Sequence, residues 1–511
     1  MGNGPGSLQD YWRIIRAHDR LCGAFVWEWI DHGFSATTAD GIPFTMHGDD
    51  VDYDPRGGRF SLHGLVFSDR TPTPGLLELA KAHEPISIEV LDRSVYIVNN
   101  RHYVDTSDVV FRWMAEADGA RFAGGVLDVP PVTAGASVEI AIPDAATAVH
   151  GHPDAVLTVE AALAADTSWA PAGHVLAWGQ RLLEDSSTTG VGVSRSAPVE
   201  PEKPHAGSQT SRRGVSQPRR GLSADAAGRA PAEGEPVRVG AGEFDGTTGR
   251  LVRLGDLEID GPVLDLYRAP TENDQGQGAL NDLASVWRKT ALDRLLHRVD
   301  ALEADGDRLV VRGRTAPRTH PHGIDWTMSW TPAGDGLTLD VAVDFVGPWA
   351  DTPYMHRDIW VPRLGLLFAL PGAADRVTWF GRGPGETYVD SHAGSRIGRF
   401  SRAVDELQVS YPVPQENGNH VQTRWLEVDG ERMPSLRVDG LPEFDFTARR
   451  WTSHDLARAD KPHELVDSGR VWLNIDHAQQ GLGSASVGPA LPEQYRIPRE
   501  RTSWSVRLST R

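Results

Sequence analysis

LTLDVAVDF, residues 337–345, puts Leu337, Leu339, Val341, Val343 and Phe345 on one side of an extended chain and Thr338, Asp340 and Asp344 on the other. Side chains alternate across a strand, so this pattern reads as a strand with one dry and one wet face. Residues 503–508 repeat it, with Trp504, Val506 and Leu508 against Ser503, Ser505 and Arg507. Strands of this kind begin at about residue 237 and continue to the end of the sequence, with one short helical pattern at Leu283, Val286 and Trp287. One large antiparallel sandwich over residues 236–511 is the economical reading, because alternating strands imply sheets with one solvated face.

Toward the N-terminus the pattern shortens. In residues 86–184, Val138, Ile140 and Ile142 alternate with Glu139 and Ala141, and Leu157, Val159 and Ala161 with Thr158 and Glu160. About six or seven such strands in about 100 residues indicate an immunoglobulin-like sandwich. Between the two sandwiches, residues 185–235 fill with Ser, Pro, Gly, Ala and scattered Arg. That composition buries too little apolar surface to offset chain entropy, which predicts a disordered linker. Residues 1–85 read as a short helix near 8–17, a buried strand at 25–30 and a long polar loop. This is too little for a domain and has the character of a remnant of something larger.

A chain of 511 residues is long enough for two to four domains. No apolar run approaches bilayer length, and residues 1–12 lack the basic flank and apolar stretch of a secretory signal, so a cytoplasmic location is expected. The formal charge of −19 excludes a nucleic-acid surface or an anionic membrane as partner, since phosphate binding needs a concentrated positive field. A neutral or cationic ligand fits better. The single cysteine, Cys22, excludes an internal disulfide framework, and its apolar neighbours predict a buried, inert thiol.

Several motif fragments fail on their spacing. His83-Glu84 begins a zinc-protease motif, but Ser87 stands at the second histidine. Asp50, Asp52 and Asp54 mimic a calcium loop, but Pro55 replaces its glycine and Ser61 its closing glutamate. GRGPGE, residues 381–386, has the wrong glycine spacing for a phosphate loop. What remains is carboxylates and aromatics. Glycoside hydrolysis needs two carboxyl groups, about 5 to 5.5 Å apart for retention or about 6.5 to 9.5 Å for inversion, beside a sugar platform. Glu28, Asp31, Glu272, Asp274, Glu386 and Glu416 are candidate acids; Trp27, Trp29, Phe60 and Trp287 are candidate platforms.

Six stretches, in order, carry a resemblance: GAFVWEWIDHGF (23–34), RFSLHGLVFSDRTPTPGLLE (59–78), LYRAPTENDQG (266–276), WFGRGPGETYVD (379–390), YPVPQENGNH (411–420) and WLNIDHAQQGLG (472–483). Together they resemble the C-terminal half of the large β-galactosidases of glycoside hydrolase family 2. The resemblance implies the end of a (β/α)8 barrel at residues 1–85, an immunoglobulin-like sandwich at 86–184 and a β-galactosidase small-chain-type supersandwich at 236–511, with 185–235 an insertion.

It also implies a retaining enzyme acting on terminal β-D-galactosides such as lactose. The family's nucleophile lies a few residues before a Met-Gly-Asn, and this sequence opens with Met1-Gly2-Asn3, so both catalytic glutamates and the magnesium ligands are expected upstream. Trp27 matches the tryptophan that packs on the galactose, with a cis peptide to Glu28. On a strand Glu28 would face away from Trp27, which predicts a structural pair for it. Phe60 matches a phenylalanine whose carbonyl helps bind sodium. His63 stands where relatives carry Asn or Asp as a sodium ligand and sugar contact, and imidazole is a poor ligand for so hard a cation. Gly276 opens a loop, to about residue 282, that closes over the sugar in relatives. Val487 stands near a position where some relatives place a tryptophan. Expected partners are a galactoside, an N-terminal fragment or subunit of the same enzyme, and further copies in a homo-oligomer. The alternative is a non-catalytic carbohydrate-binding or scaffold protein.

Overall fold

The computed structural model describes residues 6–51, 61–147, 154–183, 234–276, 282–350, 358–486 and 488–511. The fold is mainly β, with a short mixed segment leading into two antiparallel sandwiches.

The N-terminal segment forms helix Leu8–Ala17, a hairpin of Phe34–Thr37 with Pro43–Met46, and helix Pro74–Ala82. The second helix starts with proline at its first position, where the missing N–H costs nothing and the fixed φ favours the helix. The two helices meet through the edge-on rings of Trp12 and His83, 4.3 Å apart, and through Arg16, which donates to the Ala82 carbonyl at 2.7 Å. The buried strand expected at residues 25–30 is not there. Those residues form no ladder apart from one bridge, Ile30 to Val66. Phe25, Trp27 and Trp29 are exposed, because nothing among the described residues packs on that face. Cys22 is exposed too, contrary to the burial its apolar neighbours suggested.

Between residues 86 and 183, a three-stranded sheet (Ile86–Val90, Ser94–Asn99, Ser137–Ala141) faces a four-stranded one (Ala120–Leu127, Val109–Ala117, Ala155–Leu163, Val175–Leu183). Their inward residues, among them Ile97, Trp113, Leu157 and Val159, make one core. Of the predicted linker, 185–235, only residues 234 and 235 lie within the described residues.

From Val237 the strands join a fifteen-stranded antiparallel assembly, counted among the described residues. Gly336–Val346 pairs with Gly323–Ala333 on one side and Thr502–Thr510 on the other, with Leu339 opposite Val506 and Val341 opposite Trp504. Arg363–Pro371 and Arg470–Gln479 pair at its centre, and Leu436–Arg449 links them to the C-terminal strand. Trp287, Trp330 and Trp379 are fully buried in this core, so these tryptophans are packing residues and not sugar platforms.

The three bodies are tied together. Glu78, buried on the second helix, accepts the N–H groups of Gly394 at 2.8 Å and Ala393 at 3.3 Å. A side chain on Gly394 would meet the Leu77 carbonyl, so only glycine permits this approach. The buried carboxylate of Asp390 accepts from Leu482 and Gly483, both at 2.8 Å, beside the backbone of Gly6 and Ser7. The smaller sandwich joins the larger through Arg396 and Glu160 at 2.6 Å, Gln180 with the backbone of Ile397, and the cluster Val156, Phe380, Trp425.

Candidate functional site

Residues 28–32 and 61–66 run side by side and supply the base of the site. Glu28 N–H donates to the His63 carbonyl at 3.2 Å, Leu65 N–H to the Glu28 carbonyl at 3.0 Å and Val66 N–H to the Trp29 carbonyl at 2.9 Å. Gly64 makes this possible: a Cβ there would sit 2.2 Å from the Asp31 nitrogen. Its N–H instead donates to Asp31 Oδ1 at 2.6 Å. Burial raises the Asp31 carboxyl above its ordinary range, with the Gly64 bond opposing.

The peptide joining Trp27 to Glu28 is cis. Trp27 is 79% exposed, while the Glu28 carboxylate turns to protein partners. Its Oε1 lies 2.9 Å from His32 Nε2 and 3.4 Å from His63 Nε2, and the two imidazoles meet edge-on with centroids 5.6 Å apart. Burial, above all, holds His63 below its ordinary value, with Glu28 pulling the other way. Glu28 is therefore engaged as a structural acceptor under an open aromatic surface.

Behind this face lies a network of buried charge that the sequence reading did not identify. Arg268 grips Asp274 with two hydrogen bonds, Nε to Oδ2 at 3.1 Å and Nη2 to Oδ1 at 2.8 Å, and donates to the carbonyls of Gln480 and Gly481. Thr271 and Asp274 cap the turn Glu272–Gln275 reciprocally, and Gly276 ends it with φ 56°. The Thr-x-x-Asp spacing was a readable signal for that turn.

Glu416, fully buried, lies between Arg363, at 3.0 Å, and Arg449. Burial alone would raise its carboxyl, but Arg449 and Arg363 bring it down to about 2. Arg363 also donates to Asp476 at 2.9 Å, yet burial pushes Asp476 up to about 7. Arg268, Arg363 and Arg449 face Asp265, Asp274, Glu416 and Asp476, one more carboxyl than guanidinium. Nearby, Glu386 accepts from the Tyr411 hydroxyl at 2.5 Å and Gly418 N–H at 2.7 Å, and burial pushes it up to about 7. Two of the acids singled out in the sequence, Glu386 and Glu416, are thus driven in opposite directions by their surroundings.

A small cavity of about 10 Å³, enough for one water, joins the two regions. Asp31 and Gly64 line it from one side, Glu272, Tyr411 and Gln415 from the other.

Residues 241–508 match the family described as β-galactosidase small chain. The chain belongs to this family. Ahead of the small-chain region, residues 95–184 match domain 4 of β-galactosidase and residues 1–88 the TIM-barrel domain of the family 2 glycosyl hydrolases. A β-galactosidase of Arthrobacter sp. (strain B7) is 35% identical over 99% of this chain and 49% of its own length. One of Kluyveromyces lactis is 28% identical over 97% of this chain and 44% of its own. The chain spans about half the length of the curated relatives it matches. A solved structure of a putative aldose 1-epimerase from Escherichia coli K12 is 9% identical over 54% of this chain and 98% of that chain, with a TM-score of 0.28, too low to bear on the fold.

The structure places Trp27 and His63 in the N-terminal segment, with His63 against Glu28, and Gly276 at the end of the turn Glu272–Gln275; Phe60, Val487 and residues 277–281 lie outside the described residues. The sodium ion that the family resemblance implies does not fit His63. Its Nε2 faces Glu28, its Nδ1 is buried with no partner, and imidazole nitrogen is a soft donor beside the oxygens such an ion prefers. Among the described residues no group of three His, Cys, Asp or Glu could hold a metal ion, and no helix is long and apolar enough to cross a membrane.

Proposed function

We propose that this chain forms the sugar-platform part of a retaining β-galactosidase whose reacting carboxylates are supplied by a preceding barrel segment. The observation that carries this is Trp27, an exposed indole set on a backbone braced against residues 61–66, in a chain of the β-galactosidase small-chain family. An indole face turned to solvent suits the C–H face of a galactose ring. Glu28 is not the acid, since it is held by His32 and His63.

In the assembled enzyme one glutamate attacks the anomeric carbon as the bond to the leaving oxygen breaks, and the other protonates that oxygen. The second glutamate then takes a proton from the water that releases galactose. This chain holds the sugar at Trp27 and His63, in the segment that matches the barrel domain. The assembly is a cytoplasmic homo-oligomer in which magnesium binds to the preceding segment. His63 replaces an oxygen donor, so any sodium bound there relies on other groups.

Purified chain is expected to leave a chromogenic β-D-galactoside untouched, and to turn it over when mixed with the N-terminal half of the Arthrobacter relative. Trp27→Ala in that mixture lowers kcat/KM by about 10²-fold, the loss typical of a misplaced substrate. Turnover by the chain alone, or a mixture indifferent to Trp27→Ala, overturns the proposal.

A further inference from the structure

A second concave region, separate from Trp27, opens at the seam between the N-terminal segment and the supersandwich. It is a cleft of about 730 Å³, within the range of small-molecule sites. The hairpin Phe34–Thr37 with Pro43–Met46 and the start of helix Pro74–Ala82 form one wall; residues 385–395, 408–412 and 462 form the other.

Its lining is selective. Phe44 and Phe67 supply half-buried aromatic rings, each steadied edge-on by a neighbour, His463 at 5.5 Å and Tyr411 at 5.9 Å. Ser and Thr side chains supply hydroxyls. Among the described residues no Lys or Arg lines the cleft, and the acids there are Asp69, Glu78 and Glu386. An anionic ligand is therefore disfavoured. A cation gains little either, because each acid already accepts hydrogen bonds within the protein: Asp69 from Thr71 N–H at 2.8 Å, Glu78 from Gly394 N–H at 2.8 Å, Glu386 from the Tyr411 hydroxyl at 2.5 Å. The nearest ammonium to Phe44, Lys461 Nζ at 5.7 Å from the ring centroid, is itself held by Asp50 at 2.5 Å. Aromatic faces, neutral hydroxyls and already bonded carboxylates suit an uncharged polyhydroxylated ligand with an apolar C–H face. The Glu78 and Lys461 contacts fix the two walls before any ligand arrives, which keeps the ordering cost of binding low.

We propose that this cleft is a binding site for neutral oligosaccharides, distinct from the Trp27 platform and independent of whether the chain takes part in galactoside hydrolysis.

The test is calorimetric titration of the purified 511-residue chain with lactose and maltotriose, and with lactobionate as an anion of similar size. Saturable binding of the neutral sugars with a Kd of about 1 mM is expected, and binding of lactobionate about tenfold weaker. Phe44→Ala should weaken the neutral sugars about three- to tenfold, the value of one aromatic contact. Ser410→Trp, which places an indole in the cleft from an exposed position, should abolish binding. Maltotriose carries no galactose, so its binding, and its loss in Ser410→Trp, are read independently of any failure of the galactosidase reading. A parallel hydrogen-exchange measurement on wild-type chain should show lactose protecting the hairpin and residues 385–395, whatever the variants do to folding. The proposal is overturned by absence of saturable maltotriose binding, by lactobionate binding as tightly as lactose, by maltotriose binding kept with Ser410→Trp, or by protection confined to residues outside the cleft.

Discussion

Around Trp27 the chain leaves large aromatic rings in water and holds one carboxylate between two histidines. In the supersandwich it sinks Arg268, Arg363 and Arg449, with Asp274, Glu416 and Asp476, out of water. The difference is one of completeness. In the supersandwich each guanidinium meets a buried carboxylate, Arg268 from a nearby turn and Arg363 from segments far apart in sequence, where it joins Glu416 and Asp476. At the N-terminal segment the polar atoms are partly paired within the chain, but Phe25, Trp27 and Trp29 have no packing partner among the described residues. A buried ion pair tolerates no missing partner, whereas an exposed indole costs the fold little and stays available to a ligand.

The contrast can be broken most forcefully at Glu416. Glu416→Ala leaves Arg363 and Arg449 buried without their shared carboxylate, and should destabilise the supersandwich by about 3–5 kcal/mol in urea unfolding. A loss below about 1 kcal/mol shows that water or a rearranged Asp476 takes its place, and that the network is looser than its geometry.

The next effect concerns pH. Glu386 titrates at about 7 in the folded chain because burial disfavours its charge, against an ordinary value of 4.5. The folded state then binds the proton more tightly than the unfolded state. The stabilising part is fully present below pH 4.5 and is lost as pH rises through about 7. Glu386→Gln removes that loss, so the stability of the variant relative to wild type should rise by about 1–3 kcal/mol between those pH values. Asp476 titrates in the same window but is common to both proteins and cancels in the difference. A flat difference across the window shows that Glu386 is ionised throughout.

The smallest effect belongs to the open face. Trp27→Ala should shift the unfolding free energy of the isolated chain by less than about 0.5 kcal/mol, because little of the indole leaves water on folding. An equivalent loss at Trp330, fully buried in the supersandwich, would be about 3–5 kcal/mol. A large loss at Trp27 would mean that the face is covered in solution, for instance by a second copy of the chain.

Strand alternation at 337–345 and 503–508 was legible because a two-residue period is a local property; the structure pairs those strands with Leu339 opposite Val506. The helix at Leu8–Ala17 and the short helix Leu283–Lys289 were readable for the same reason. Residues 25–30 misled because an apolar run records a demand for cover without naming what provides it. Cys22 was misread by the same logic. The buried charges were illegible for the opposite reason: a single sequence assigns Arg and Glu to the surface, and only the fold brings Arg363, Glu416 and Arg449 within reach of one another. Of the candidate site, Trp27 and His63 were named only through resemblance, while the Glu28 pairing with two histidines and the close approach at Gly64 follow from the fold.

The seam between the two sandwiches bears on how this architecture changes over time. Arg396 with Glu160, Gln180 with Ile397, and Phe380 and Trp425 against Val156 set the docking of the smaller body on the larger through side chains within the folded parts. The entropy of closing a connection between two bodies held together in this way grows only slowly, with the logarithm of its length. A longer or shorter connection would therefore leave the register of the two bodies to the seam, which sets it through contacts of its own.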